Sequence, residues 1–475
     1  MREQTRPAIY RIMKYWGKKP HNIWRKYIEK YSNRNDIVLD PFVGSGMTYF
    51  EAIKSDRVPL TIDLNPISDL CIKCLTNRTI NIELLSSSAN NIINTIRTSD
   101  FYINEYTATC SHCGNNVVIY NYKKNGKSTI TYKCNNCNEI FTEEIKYTEG
   151  NYIIDKWIPN KKLSSIESIS STFLKKINGD NISCLWTNRN LKILSEIYDL
   201  ILKEQNEDIR MMLVFGFIQS LHLTSKMCVP RDDKSKRPLS TSWGRPAYML
   251  ASKIFEQNPL IAFERAIFNG TGVIKGINSS IEYLGENIQN RGQHYLGSSA
   301  EILKNFNSSS VDLIITDPPY GNIIQYGDLS EVWVSWLEKY NSKYKIEHQK
   351  EIIINKNKND LFYKNELLKT FVELNRVLKD DGKYILTFNS NSRSDWDNLF
   401  YAIKEAHFSI NEVIYQKNKR SSEANVAAKK GIAISDYYFV CTKDVWNSEI
   451  VEEFFLKWRQ SKWTIQKENM IKEIS

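Results

Sequence analysis

Val311-Asp312-Leu313-Ile314-Ile315-Thr316-Asp317-Pro318-Pro319-Tyr320 begins as an apolar, β-branched run and ends on an acid, two prolines and an aromatic ring. Such a run reads as a strand buried in a parallel sheet. The prolines stop it at once, because neither donates to a ladder and both fix φ. A carboxylate, stiff carbonyls and one ring are then left at the carboxyl edge of a sheet, where open α/β folds bind ligands. Asp317 and a neighbouring carbonyl each accept one hydrogen of an exocyclic –NH2, while the Tyr320 ring stacks on the base that carries it. The implied chemistry is recognition and activation of a flat amine.

A second buried strand is expected over residues 36–42, and it ends in Gly44-Ser45-Gly46. Residues 47–54 have helical character, and a further strand starts at Leu60 and closes on Asp63. Strand, glycine turn, helix, strand ending in an acid is the layout of a nucleoside-binding unit. Gly44 and Gly46 let backbone approach a ligand at φ values that a β-carbon forbids. A carboxylate at Asp63 accepts both ribose hydroxyls. The sequence lacks a third glycine and a Lys-Ser/Thr pair, which argues against a dinucleotide fingerprint or a P-loop.

From about Asn65 to Gln293 this rhythm stops, and the later part of that stretch (191–223 and 247–268) reads as helical. The rhythm returns with His294-Tyr295-Leu296, a helix near 300–306, the Asp317 strand, a helix over 366–378, and strands at 383–388, 412–416 and 437–441. The expected architecture is one α/β domain split in sequence. Residues 1–66 supply its first half and 292–445 its second. An insert, residues 67–291, holds a cysteine ribbon at about 105–145 and a helical part at about 160–290. Residues 446–475 form a helical tail anchored by Trp446, Trp458 and Trp463.

A chain of 475 residues is too long for one ordinary core. Its 64 Lys and Arg against 54 Asp and Glu give a net charge of +10, which suits a polyanionic partner. No apolar region follows the basic start and no stretch of eighteen uncharged apolar residues occurs, so neither secretion nor a membrane span is indicated. Six of the nine cysteines fall in three C-x-x-C pairs. Without a signal peptide that pattern favours metal over disulfides and a cytoplasmic location. Cys110-x-x-Cys113 and Cys134-x-x-Cys137, separated by twenty residues containing two strand-like runs, suit a tetrahedral Zn2+ ribbon. Whether the ribbon touches nucleic acid stays open. Cys71 and Cys74 read as buried thiols one helical turn apart. Lys226, Arg231, Lys236, Arg237 and Arg245, interleaved with Ser, Thr and Trp243, look like a phosphate-contacting loop. Lys419 and Arg420 begin a second basic stretch near the catalytic edge.

Phe42-x-Gly44-x-Gly46 together with Asp317-Pro318-Pro319-Tyr320 resembles the S-adenosylmethionine-dependent DNA amino-methyltransferases, the N6-adenine and N4-cytosine DNA methylases. Tyr15-Trp16-Gly17-Lys18-Lys19-Pro20-His21-Asn22 looks like that family's methionine-contacting motif, and Asp63-Leu64-Asn65-Pro66 like its acidic second-strand motif. Gly297-Ser298-Ser299-Ala300 resembles the loop before the catalytic strand, although an acid is common where Ser298 or Ser299 stands. The order of these motifs is the family's alpha arrangement. The resemblance implies a Rossmann-like class I methyltransferase domain, split by a mixed α+β insert with a zinc ribbon. It implies that Trp16, Lys18, Pro20, Asp40, Phe42, Gly44, Gly46, Asp63, Ser298 and Asp317 line the cofactor. Asp317, Pro318, Pro319 and Tyr320 would then hold the target base, which is flipped out of the duplex.

The expected partner is double-stranded DNA, and the resemblance leaves room for a cognate restriction endonuclease in the same system. The leading Asp of the catalytic motif points to adenine N6. Cytosine N4 remains open, as does an RNA base N-methyltransferase acting on guanine N2 or adenine N6, and a DNA-binding protein that keeps the fold without the reaction.

Overall fold

A computed structural model describes residues 4–125, 127–146, 150, 152–229, 239–244, 246–250, 254–286, 288, 291–417 and 435–459. Its strands, in chain order, are β1 (Ile37–Asp40), β2 (Val58–Asp63), β3 (Thr107–Thr109), β4 (Asn116–Asn125), β5 (Lys127–Cys134), β6 (Glu139–Ile145), β7 (Cys228–Val229), β8 (Leu239–Ser240), β9 (Ile254–Gln257), β10 (Gln293–Leu296), β11 (Val311–Thr316), β12 (Leu378–Phe388), β13 (Ser409–Lys417) and β14 (Ser435–Thr442). One sheet runs β10-β2-β1-β11-β12-β14-β13. Its first five strands are parallel. β14 runs antiparallel to both of its neighbours. The strand order turns back on itself between β1 and β11, and their carboxyl ends open onto one crevice.

Both faces of the sheet are covered, as parallel strands require. Val38, Ile385 and Val440 point into one buried cluster, and their chain neighbours Leu39, Leu386 and Phe439 into the other. This alternation is the period-two geometry of a strand. The second cluster is closed by the helices Asp360–Val377 and Arg393–Glu405 and by a helix over 448–459. Trp396 sits at its centre, with ring centroids 4.9 Å from Phe388 and 4.8 Å from Phe454. Trp463, expected to anchor the tail, lies outside the described residues.

The other face carries the helices His21–Tyr31, Met47–Lys54 and Pro66–Thr76. Asn65 caps the last of these by accepting the Ile67 amide, and Pro66 takes the first helical position, where its missing N–H costs nothing. Cys71 and Cys74 are buried in this helix as expected. The helices Ile82–Arg97, Asn188–Leu202, Glu207–Leu221 and Pro259–Phe268 pack on one another beyond it. Next to them stands a second sheet, β3-β4-β5-β6, with β9 paired to β4.

The sequence suggested helix throughout 247–268. The structure places a strand at Ile254–Gln257, antiparallel to Asn121–Lys124. The helix starts only at Pro259, because the Asn258 side chain caps it there and proline fits the first turn but not an interior. The 383–388 strand is also longer than expected. Its Leu378 end pairs with Val311, and the ladder is interrupted before Leu313.

A helix that the sequence reading left unassigned, Tyr326–Tyr340, starts just after the Asp317 turn and runs into the inserted segment. Its Trp336 packs against Trp186, Tyr198 and Phe217, with centroids 5.7, 5.3 and 5.1 Å away. The Tyr198 hydroxyl donates to the Trp336 carbonyl at 2.5 Å. One buried cluster therefore continues from the sheet face into the helices Asn188–Leu202 and Glu207–Leu221. No helix of the described residues is long and apolar enough to cross a membrane.

Candidate active site

A cavity lies at the carboxyl ends of β1, β2 and β11. Of the residues expected to hold a cofactor or base, Trp16, Lys18, Asp40, Phe42, Gly44, Asp63, Ser298, Asp317 and Pro319 line it. Pro20, Gly46, Pro318 and Tyr320 are not among its lining residues. Pro20 is the N-cap of His21–Tyr31. Gly46 is the N-cap of Met47–Lys54 at φ +82°, where a β-carbon would come within 2.8 Å of the Phe50 ring. Gly44, at φ +55°, would meet the Tyr15 ring at 3.2 Å. The turn thus needs both glycines for conformation and for close approach.

Asp63 is fixed by its own loop. One oxygen accepts the Gly44 amide at 2.6 Å and the other the Asn65 amide at 2.8 Å. Burial outweighs these bonds and raises its carboxyl to about 6. Asp40 spends its oxygens on the fold. It accepts the Phe42 amide at 3.0 Å, the Thr316 hydroxyl at 2.6 Å and the Thr48 hydroxyl. Burial raises Asp40 to about 7 against those donors. Lys18 gives its ammonium to the Tyr10 carbonyl at 3.0 Å and to that of Met13. The Trp16 indole donates to the Ser242 carbonyl at 3.0 Å, tying this wall to the inserted segment.

Asp317 stands one residue beyond β11, and its hydrogen bonds fall on one oxygen. Oδ1 accepts the Thr387 hydroxyl at 2.6 Å and the Tyr320 hydroxyl, and lies 3.2 Å from the Lys19 ammonium. Among the described residues Oδ2 takes no such bond. Burial raises the Asp317 carboxyl, with Lys19 as the main opposing influence. The Tyr363 hydroxyl donates to the Pro319 carbonyl at 2.6 Å and stiffens the double-proline turn. The Tyr320 ring stands across Phe388 at 4.8 Å and 69°. Gly321, at φ +49°, follows at once, and a β-carbon there would lie 2.8 Å from Asp395.

Lys19, within the Tyr15–Asn22 motif, and two residues with no motif around them, Glu351 and Asp436, also belong to the site. Lys19 was visible beside Lys18, but no local pattern said which of the two meets Asp317. Asp436 is 417 positions from Lys19, yet the two are 3.1 Å apart. Glu351 lines the cavity and accepts the Gly327 amide at 2.7 Å.

Away from the cavity, the ligand atoms of Cys110, Cys113, Cys134 and Cys137 lie within 4.8 Å of one another. Each C-x-x-C knuckle is followed by a residue at positive φ, Gly114 at +76° and Asn138 at +55°. The Cys110 amide donates to the Asn115 carbonyl, and the Gly114 amide to that of Cys110, closing the first knuckle. The Asn115 amide lowers the Cys113 thiol. Burial would raise the Cys110 thiol, but the amides of Cys113 and His112 outweigh it and lower it too. Lys226 is half-buried, and its amide donates to the Leu185 carbonyl at 2.7 Å. Arg231, Lys236, Arg237, Arg245, Lys419 and Arg420 lie outside the described residues.

Residues 2–69 match the family model N6_N4_Mtase, described as DNA methylase. The matched stretch is the first part of this chain alone. That segment contains the Trp16 loop, the Gly44 turn and Asp63, which together form one wall of the cavity. The match supports a DNA amino-methyltransferase. No curated protein matches the chain. Among solved structures, the chain is similar to the PvuII DNA methyltransferase (cytosine-N4-specific), at 20% identity and TM-score 0.21, over 32% of this chain and 49% of that one. A putative DNA modification methylase of Thermus thermophilus matches at 14% identity and TM-score 0.18, over 32% and 52%. The same protein complexed with S-adenosyl-L-methionine matches at 15% and 0.18, over 32% and 54%. The chain spans about half the length of the solved structures it matches.

Carboxyls around the cavity, Asp40, Glu351 and Asp63 among them, make stability depend on pH. Asp40 and Glu351 are raised to about 7 and Asp63 to about 6, in each case by burial first. A raised carboxyl holds its proton in the native state while the unfolded chain releases it. The stabilising contribution is therefore complete below the ordinary carboxyl range and is lost as pH rises through 6 to 7. The urea midpoint of the unliganded protein should fall between pH 5.5 and 8. Glu351→Gln, which keeps an acceptor for Gly327, should flatten that slope.

Proposed function

We propose that this chain is a DNA methyltransferase that moves the methyl group of S-adenosylmethionine onto the exocyclic amine of a flipped base, adenine N6, within a specific sequence. The observation that carries this reading is one cavity holding Asp317 opposite the Asp63–Gly44 loop. In this proposal residues 1–66 and 292–445 form the methyltransferase domain, and the insert 67–291 supplies target recognition. Trp16, Lys18, Phe42, Gly44, Asp63 and Ser298 would hold the cofactor, with Asp63 accepting from the ribose hydroxyls. The cofactor supplies an electrophilic methyl group on a sulfonium.

The chain's own residues do the rest by positioning and electrostatics. Asp317 Oδ2 and the Pro318 carbonyl accept the two hydrogens of the target amine, which aims its lone pair along the line of transfer. Tyr363 holds the neighbouring carbonyl of Pro319 and so fixes the turn that presents Pro318. Tyr320 stacks on the base, once its hydroxyl leaves Asp317. The cofactor would supply the methyl group to that lone pair and would leave as a neutral thioether, which takes the electron pair of the broken C–S bond. The surplus proton on nitrogen passes to Asp317 Oδ2 and then to water. A carboxyl raised by burial is a better proton acceptor than an exposed one. Extruding the base costs a few kcal/mol of unstacking.

We also propose that the four clustered thiols bind structural Zn2+. A tetrahedral ion with Zn–S distances of about 2.3 Å sets sulfurs about 3.8 Å apart. The sulfurs here, within 4.8 Å of one another on two tight knuckles, fit that geometry. Elemental analysis should return one zinc per chain, and a strong chelator should lower the melting temperature. Far less than one zinc would refute the site.

The assigned reaction is tested with tritiated cofactor offered to DNA and to RNA. Transfer to DNA is expected. Asp317→Ala should abolish it while calorimetry still detects cofactor binding. Near-normal turnover of that variant would overturn the assignment.

A further inference from the structure

Lys19 joins three segments that are far apart in sequence. Its ammonium lies 3.2 Å from Asp317 Oδ1, 3.1 Å from Asp436 Oδ1 and 2.7 Å from the Tyr320 hydroxyl. The three polar partners match the three hydrogens of an ammonium. Lys19 and Asp436 are 11% and 13% exposed, so water screens the pair weakly. The Tyr320 hydroxyl and Thr387 donate to that same Asp317 oxygen. Everything that holds Asp317 thus reaches it from the Oδ1 side.

We propose that Lys19 is a positioning residue, held in place by Asp436, that keeps Asp317 an ionised acceptor with Oδ1 occupied and Oδ2 presented to the target amine. This rests on the reading of Asp317 as the amine acceptor. Two carboxylates this close favour protonation of one of them unless a cation stands between. Lys19 is that cation, and it ties the N-terminal motif to the catalytic motif. With Lys19 charged, Asp317 keeps its negative charge beside the amine. That charge complements the positive charge which develops on the amine as the methyl arrives.

The other groups facing Asp317 and Lys19 are Tyr320, Tyr326 and Tyr438, all held above their ordinary range by burial and therefore neutral near pH 7. Burial would lower the Lys19 ammonium, but Asp317 and Asp436 outweigh it and raise it. Lys19 consequently stays charged over the working pH range. Removing it takes away the largest influence that favours the ionised form of Asp317. Removing the Asp436 charge acts in the opposite sense.

The experiment uses full-length wild type, Lys19→Met, Lys19→Arg and Asp436→Asn. Single-turnover transfer of tritiated methyl to DNA is followed from pH 5.5 to 9, with cofactor affinity measured by calorimetry. Lys19→Met should raise the acid limb of the rate profile by about one pH unit or more. Its rate at pH 7 should drop on the order of 100-fold, with cofactor affinity nearly unchanged. Lys19→Arg should recover most of the rate, and Asp436→Asn should move the limb downward. In parallel, 13C NMR titration of the carboxyl assigned through Asp317→Asn should show the same shifts without any substrate. A Lys19→Met profile and titration that coincide with wild type would overturn the proposal, as would a shift of equal sign in Asp436→Asn. A wild type that transfers no methyl would instead sink the functional reading, while the titration would still decide the role of Lys19.

Discussion

The parallel pairing of β1 with β11 is the constraint on which the rest of the molecule depends. It sets Leu39 beside Ile314 and brings Asp40 to the Thr316 hydroxyl at 2.6 Å, across 276 positions of sequence. Such a contact repays its chain-closure entropy only if everything between is folded away compactly. The helices Ile82–Arg97, Asn188–Leu202, Glu207–Leu221 and Pro259–Phe268 do this by packing through Pro66–Thr76 and Tyr326–Tyr340 onto one face of the sheet. Because the strand order turns back at β1 and β11, the same pairing opens the crevice that becomes the cavity. Fold and site share one cause.

The cavity is crowded with acids, and the structure treats each differently. Asp40 is consumed by hydroxyls and an amide, so it acts as a strut between β1 and β11. Asp63 is braced by two amides of its own loop. Asp317 is restrained through a single oxygen, so Oδ2 takes no hydrogen bond among the described residues. Glu351 accepts the Gly327 amide and ties the helix after the catalytic turn to the far wall. Buried acids at this density are costly unless paired or hydrogen-bonded. Such perturbed groups cluster where chemistry is done.

Much of this was legible in the sequence, for local reasons. The strands carrying Asp40, Asp63 and Asp317 announced themselves because buried parallel strands are apolar runs with abrupt ends. The helix Met47–Lys54 was readable to the residue, since a glycine turn starts it. The cysteine knuckles were legible from spacing alone. What was hidden depends on distant pairing. Ile254–Gln257 has the composition of a buried helix or a strand, and only the exposed edge of β4 decides between them. Tyr326–Tyr340 mixes Trp333 and Trp336 with Asp328, Glu331 and Glu338 and is buried all round from Gly327 to Leu337, so no single apolar stripe marks it. Lys19 and Asp436 look like ordinary surface charges until the N-terminal loop and β14 converge on Asp317.

In the proposed reaction Asp317 faces the amine of a base taken out of DNA. Base-resolution sequencing of methylated DNA from cells that express the protein addresses it most directly, with cells expressing Asp317→Ala alongside. N6-methyladenine is expected at one fixed position of one short sequence, absent from the Asp317→Ala control. DNA with no modified base beyond that control would contradict it.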